Sequence, residues 1–247
     1  MSAMLALGQP TAAQPHPFGS PATRVFASAI VPGAGQALEQ RWLASAVFAV
    51  IEATAWWVTI DQKGEGDRLR TAYRDLAWEV ARDRAEPRVD GSFEYYERMI
   101  HWTRSGAFDT SPEPGLQPER APDSFNGRQW RLAAEIFLGG DISAAPTAPG
   151  YQAALDYYRG RAYEGPLVWD WTGRAPAQER FAELIDESDS ALRRSSVAVG
   201  AVLANHVLSA AEVYINQRLG RGAVELAVIP RDLGTAAGAS LRLRILP

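Results

Sequence analysis

Apolar residues fall into two long runs along the chain and several short periodic ones. The first run, residues 42–60, reads WLASAVFAVIEATAWWVTI and carries one charge, Glu52. As a helix it spans about 28 Å, close to the roughly 30 Å hydrocarbon core of a bilayer. Trp42 stands at one end, Trp56 and Trp57 near the other. Indole rings favour the headgroup level, so this placing marks two water–lipid boundaries. A helix on a soluble core keeps a polar stripe for solvent. Here only Ser45, Glu52, Thr54 and Thr59 are polar. The second run, residues 195–215, reads SSVAVGAVLANHVLSAAEVYI and is also long enough to span.

The second run is patterned. Asn205, Ser209, Glu212 and Asn216 recur at i, i+4, i+7 and i+11, on one helical face, with His206 beside them. A charge at mid-bilayer costs about 2.5–3.5 kcal/mol on insertion scales, so this stripe should turn toward protein. Small residues form a row on each run: Ser45, Ala49 and Ala53, then Ser196, Gly200 and Ala204. Such rows let helices approach closely in lipid. The expectation is an antiparallel pair packed through these rows, with Glu52 and Glu212 facing inward.

Residues 61–194 are polar and too long for a loop. Apolar residues recur there at helical spacing: Leu69, Tyr73, Leu76 and Val80; Phe93, Tyr96 and Ile100; Trp130, Ala133, Ala134 and Phe137; Ala154, Leu155 and Tyr158; Phe181, Leu184, Ile185 and Leu192. Pro and Gly cluster at 112–127 and 139–150, marking loops. No breaker separates the last set from the second run, which predicts one long helix over 176–218. After it, residues 224–229 and 241–246 have strand character. LRLRIL alternates, with Arg242 and Arg244 on the wet face of a hairpin.

The expected fold is therefore mainly α. It is a two-span transmembrane helical hairpin with an inserted helical extramembrane domain and a small C-terminal β-hairpin. The segments are an extended tail over 1–22, a short helix with its turn and the first span over 23–62, the helical domain over 63–175, the long helix over 176–218 and the hairpin over 219–247.

Composition narrows the chemistry. The 247 residues carry a net charge of −4, which speaks against nucleic acid, a partner that demands a basic stripe. There is no cysteine, which removes disulfides, thiolate metal sites and cysteine nucleophiles. Nucleophile-elbow, P-loop, HExxH and EF-hand patterns are absent, and no cofactor, metal or catalytic residue is expected. Glu183, Asp186, Glu187 and Asp189 crowd one stretch and are read as a solvated face. Trp169 and Trp171 flank Asp170 and join Trp42, Trp56 and Trp57 as candidate interface anchors, since tryptophan is enriched at binding hot spots; for the 169–171 segment the alternative is a packed loop.

Residues 25–31 form an apolar stretch too short to span, and Pro32-Gly33-Ala34-Gly35-Gln36 breaks it. Pro32, Gly33, Gly35 and Gln36 match a P-G-x-G-Q motif. On these residues the chain resembles a family of uncharacterised bacterial membrane proteins that carry the motif just before a membrane helix. Arg41-Trp42 resembles the basic-aromatic step that follows the motif; Ala37 and Leu38 stand where the family usually has an aromatic. Asn205-His206 and residues 211–219 resemble the family's last helix. The resemblance covers about a third of the chain, at both ends. It implies a membrane location and supplies no catalytic residues.

Three functions follow as expectations. The first is a non-catalytic accessory subunit of the bacterial inner membrane. It would bind lipid bilayer and other integral membrane subunits and stabilise a larger complex, with an energy-transducing photosynthetic or respiratory assembly as first guess. The second is a proton or ion relay through Glu52, His206 and Glu212. The third is a soluble helical binding protein. Near the spans, Lys63, Arg68, Arg70, Arg193 and Arg194 face Arg24, Arg41, Arg218 and Arg221 across the membrane. The slight excess leans toward a cytoplasmic middle domain.

Overall fold

Ser20 starts the ordered helices. Its hydroxyl accepts from the Thr23 amide, and Pro21 takes the first helical position, where a missing N–H costs nothing. The computed structural model describes residues 19–219, together with the backbone of two strands, 224–232 and 237–245. Seven α-helices follow in order: α1 (Pro21–Ile30), α2 (Ala34–Leu38), α3 (Trp42–Leu76), α4 (Phe93–His101), α5 (Phe125–Phe137), α6 (Tyr151–Arg159) and α7 (Ala175–Leu219). Strands β1 (Val224–Asp232) and β2 (Ala237–Ile245) run antiparallel, with Val224 opposite Ile245. The tail over 1–18, the turn of the expected hairpin and the side chains of Arg242 and Arg244 lie outside the described residues. The chain is mainly helical.

Two boundaries differ from expectation. α1 begins at Pro21, inside the expected tail. α3 does not stop at 62; it runs to Leu76 and ends in a π-helical turn, Ala77–Ala81. Charge ends an apolar run without ending a helix. Lys63, Glu65, Arg68 and Arg70 are good helix formers, and Lys63 bridges Asp67 one turn on.

The chain divides into two units, residues 1–61 with 194–247, and residues 62–193. The second unit has an ordinary aqueous pattern, with an aromatic core and a charged surface. One cluster gathers Tyr73, Tyr95, Tyr96, Phe125, Trp169, Trp171 and Phe181; another gathers Trp130, Tyr151, Leu155 and Tyr158. Rings meet edge-on, as for Tyr95 and Trp169 at 5.5 Å between centroids. Asn126 ties the loops together: its amide donates to Gly106, Ala107 and Tyr163 carbonyls and its oxygen accepts from the Tyr163 amide.

Trp169 and Trp171 follow the packed-loop alternative rather than the interface one. Each is 1% exposed, so neither is a surface anchor. The segment lies extended, with the Asp170 amide on the Ala81 carbonyl and the Trp171 amide on the Thr103 carbonyl. Extended backbone alternates its side chains, so both indoles point into the core while Asp170 stays outside. The acidic stretch at 183–189 is solvated, as Glu183, Asp186 and Glu187 are exposed and Arg180 bridges Glu183 and Glu187.

Burial pushes the phenols of Tyr95 and Tyr158 well above their ordinary value near 10. In the unfolded chain they ionise near 10, so the contribution is fully present below that pH and is lost as pH rises beyond it. The second unit should therefore unfold in alkali, with tyrosinate absorbance and loss of near-ultraviolet circular dichroism appearing together. Tyr95→Phe should reduce this pH dependence. Tyrosinate growing in with the fold intact would contradict the burial of these phenols.

Candidate functional site

The P-G-x-G-Q segment builds a tight double turn. Val31 leaves α1 extended, and Gly33 adopts φ 92°, a left-handed conformation that a side chain resists. A Cβ there would lie 2.6 Å from the Ser45 carbonyl oxygen. Gly35 is held by space instead: its Cβ would meet the Arg24 carbonyl oxygen at 2.3 Å and the Ser28 hydroxyl at 2.4 Å. α2 then lasts one turn and closes with the Arg41 amide on the Gln36 carbonyl, around Gln40 at φ 62°. All four motif side chains and backbones, Pro32, Gly33, Gly35 and Gln36, are buried.

The turn delivers Gln36 to α7. Its amide oxygen accepts from Ser28 Oγ at 2.8 Å, and its nitrogen donates to the Ser209 carbonyl and to Glu212 Oε2, each at 3.0 Å. Ser209 Oγ returns the contact by accepting from the Gly33 amide at 2.8 Å. Glu212, 1% exposed, collects more donors: both Arg41 terminal nitrogens, and Asn216 Nδ2 at 2.8 Å. Glu39 lies 3.8 Å from both Arg24 and Arg41 and accepts from Gln217 at 2.9 Å. Two guanidinium groups thus face two carboxylates, and the cluster is neutral. A buried charge is tolerated only when paired and hydrogen-bonded in this way.

A second cluster lies further along the helix pair. Asn205 donates to the Phe48 carbonyl and to Glu52 Oε2, at 3.0 and 2.9 Å. Glu52 Oε1 takes the Trp56 indole N–H at 2.8 Å and faces His206 Nε2 at 3.2 Å. His206 Nδ1 faces the Ala29 carbonyl at 2.8 Å. Both ring nitrogens therefore lie within hydrogen-bond distance of oxygen atoms, one a backbone carbonyl and the other a carboxylate. Ser195 Oγ donates to the Thr59 carbonyl. Ser195 with Thr59, Asn205 with Phe48 and Glu212 with Arg41 define an antiparallel pairing of α3 and α7 in this unit.

Glu52, Asn205, His206, Ser209 and Glu212 are thus brought to one interior seam. The small rows are not. Ala49, Ala53, Ser196, Gly200 and Ala204 are exposed, Ser45 is half-buried, and nothing comes within 4 Å of a Cβ placed on Gly200. The polar stripe decided which face turned inward, because stranded amides and carboxylates cost more than unpacked alanines. The packed positions are Phe48, Ala55 and Thr59 against Ser195, Ala198, Val202 and Asn205. Trp42, Trp56 and Trp57 stay on the outside. Arg24, Arg41, Ser28, Glu39 and Gln217 belong to the network without having been expected there. For Arg24, Glu39 and Arg41 the one sequence signal is charge flanking an apolar stretch; Ser28 and Gln217 carry none.

The first unit is inverted relative to a soluble core. Its interior holds Ser28, Gln36, Asn205, Ser209, Glu212 and Asn216, while Leu43 (82%), Val197 (73%), Ile60 and Val207 are exposed. α3 and α7 are long and apolar enough to cross a membrane, and their most apolar stretches are only 17% and 33% buried. A soluble core helix would be mostly buried. The protein is thus a mainly helical chain with two candidate membrane-crossing helices. No family model, curated protein or solved structure matches it.

Proposed function

We propose that this chain is a non-catalytic subunit of the bacterial inner membrane that binds and stabilises a larger assembly of integral membrane proteins. The supporting observation is the inverted first unit, where Gln36 and Glu212 are hydrogen-bonded in the interior while many large apolar side chains face outward. Gln36 and Glu212 spend their hydrogen-bonding capacity on Ser28, Arg41, Ser209 and Asn216, which suits a lock rather than a reaction centre. The outward face offers lipid and neighbouring helices a continuous apolar surface, and the second unit, with its charged exterior, belongs in water on the cytoplasmic side. No described residue favours an energy-transducing complex over any other membrane assembly.

Mild-detergent purification followed by native mass measurement tests this role. The expected result is a particle well above the 26.9 kDa of one chain, holding other membrane proteins. A lone monomer would overturn it. Carbonate treatment of membranes should leave the chain in the pellet; release into the supernatant would favour a soluble helical binding protein.

The contact of His206 with Glu52 at 3.2 Å favours a second reading, a proton relay. Glu52→Gln separates the two. Lost proton flux with the assembly intact supports the relay, and a weakened assembly supports the structural role.

A further inference from the structure

A cavity of about 630 Å³ opens beside α1 and the end of α7, lined by Pro21, Ala22, Val25, Phe26, Tyr214, Gln217 and Arg218. Its volume is in the range of sites for small ligands. The lining is apolar apart from three groups at the α7 end. Gln217 is engaged with Glu39. Arg218 leans over the Tyr214 ring at 5.5 Å, and among the described residues neither has an ion pair or another hydrogen-bond partner. Arg24 and Arg41 are paired with Glu39 and Glu212, whereas Arg218 has no carboxylate partner among the described residues.

The level along the helices adds a constraint. Glu212 pairs with Arg41, the residue before Trp42, and Arg218 lies six positions beyond it, about 9 Å along α7. An exposed Trp42 marks the headgroup boundary on the proposed membrane placement. On that placement the Arg218 guanidinium, without an ion pair among the described residues, stands on the headgroup side of the apolar lining from Val25 and Phe26.

We infer that this cavity binds an anionic phospholipid. Its phosphate sits on Arg218 and the Tyr214 hydroxyl, and the upper parts of its chains lie against Val25 and Phe26. The site rests on the membrane reading above and gives that reading a specific ligand. One basic residue near a bilayer surface corresponds to about a five-fold preference for anionic over zwitterionic lipid.

The full-length chain, purified in mild detergent, is titrated with phosphatidylglycerol and with phosphatidylcholine of the same acyl chains, and bound lipid is counted by native mass spectrometry. Wild type should prefer phosphatidylglycerol about five-fold. Arg218→Gln should erase the preference while leaving phosphatidylcholine binding, and Phe26→Trp, which fills the recess, should weaken both. Equal binding of the two lipids by wild type, or a preference that survives Arg218→Gln, overturns the site. So does inorganic phosphate that displaces phosphatidylglycerol at equal concentration. Arg218 also sits in the last turn of α7, where it balances the helix dipole. If that is its whole role, Arg218→Gln lowers the unfolding temperature and leaves the lipid ratio unchanged, which overturns the site too. A chain that needs detergent for extraction yet shows no lipid preference rejects only this site; release by carbonate rejects the membrane placement itself.

Discussion

Gly35→Ala should unfold the first unit at markedly lower temperature than wild type, by roughly 10 °C, a cost of about 3 kcal/mol. The added methyl meets three neighbours at once, the Arg24 carbonyl oxygen, the Ser28 hydroxyl and Val213, at 2.3, 2.4 and 2.9 Å. None is the free end of a flexible chain. One is backbone in the middle of α1, another holds Gln36, and the third belongs to α7. Relief would require α1 to move off the turn, which breaks the hydrogen bond from Ser28 to Gln36. Gly64→Ala is the matched control: a helical glycine with nothing within 4 Å of its Cβ. There alanine should stabilise by up to about 1 kcal/mol. Thermal unfolding in detergent, followed by circular dichroism, reads both variants. Equal effects at the two positions would mean that helix propensity, not close packing, governs Gly35.

Glu212→Gln should be comparably severe. The amide keeps the shape and loses the charge, leaving the partly buried Arg41 with Glu39 alone, 3.8 Å away. Breaking a fully buried pair from one side costs about 3–5 kcal/mol, and the remaining Glu39 places this variant at the lower end. Arg41→Gln should do the same from the other side. The double variant strands nothing, so it should be more stable than the summed single losses by about 2 kcal/mol. A denaturation cycle over the four proteins measures this coupling. Strict additivity would mean that Arg41 and Glu212 do not act as a pair.

Much of this centre was legible in the sequence, for a plain reason. On a helix as apolar as this one, exposed polar groups in lipid would be costly, so a stripe at 205, 209, 212 and 216 is expected to face protein. The same constraint marked Glu52, and an unbroken pattern carried α7 through to Leu219. The packing face was harder to read. Both small rows were compatible with close helix approach, yet polar pairing outweighed it and turned them outward. Arg41 was hidden because its partner lies 171 residues away, beyond any local pattern. Trp169 and Trp171 misled through composition: tryptophan suits an interface and a core equally. Only the two-residue alternation across Asp170 hinted that both rings shared one side. The end of α3 is not legible because hydropathy reports where an apolar run stops, and a helix of good helix formers continues past it.

The seam between α3 and α7 has a consequence for how the chain is made. Glu52 is synthesised 153 residues before the Asn205 that caps it. At ribosomal speeds of about 5–20 residues per second, α3 waits roughly 8–30 s with the Trp56 indole as the partner of Glu52 from its own helix. On the proposed membrane placement, a chain that stalls in that interval exposes a half-satisfied carboxylate to lipid. Quality control that recognises such a charge would then clear chains that stop before α7, and completion of the last helix would end their exposure.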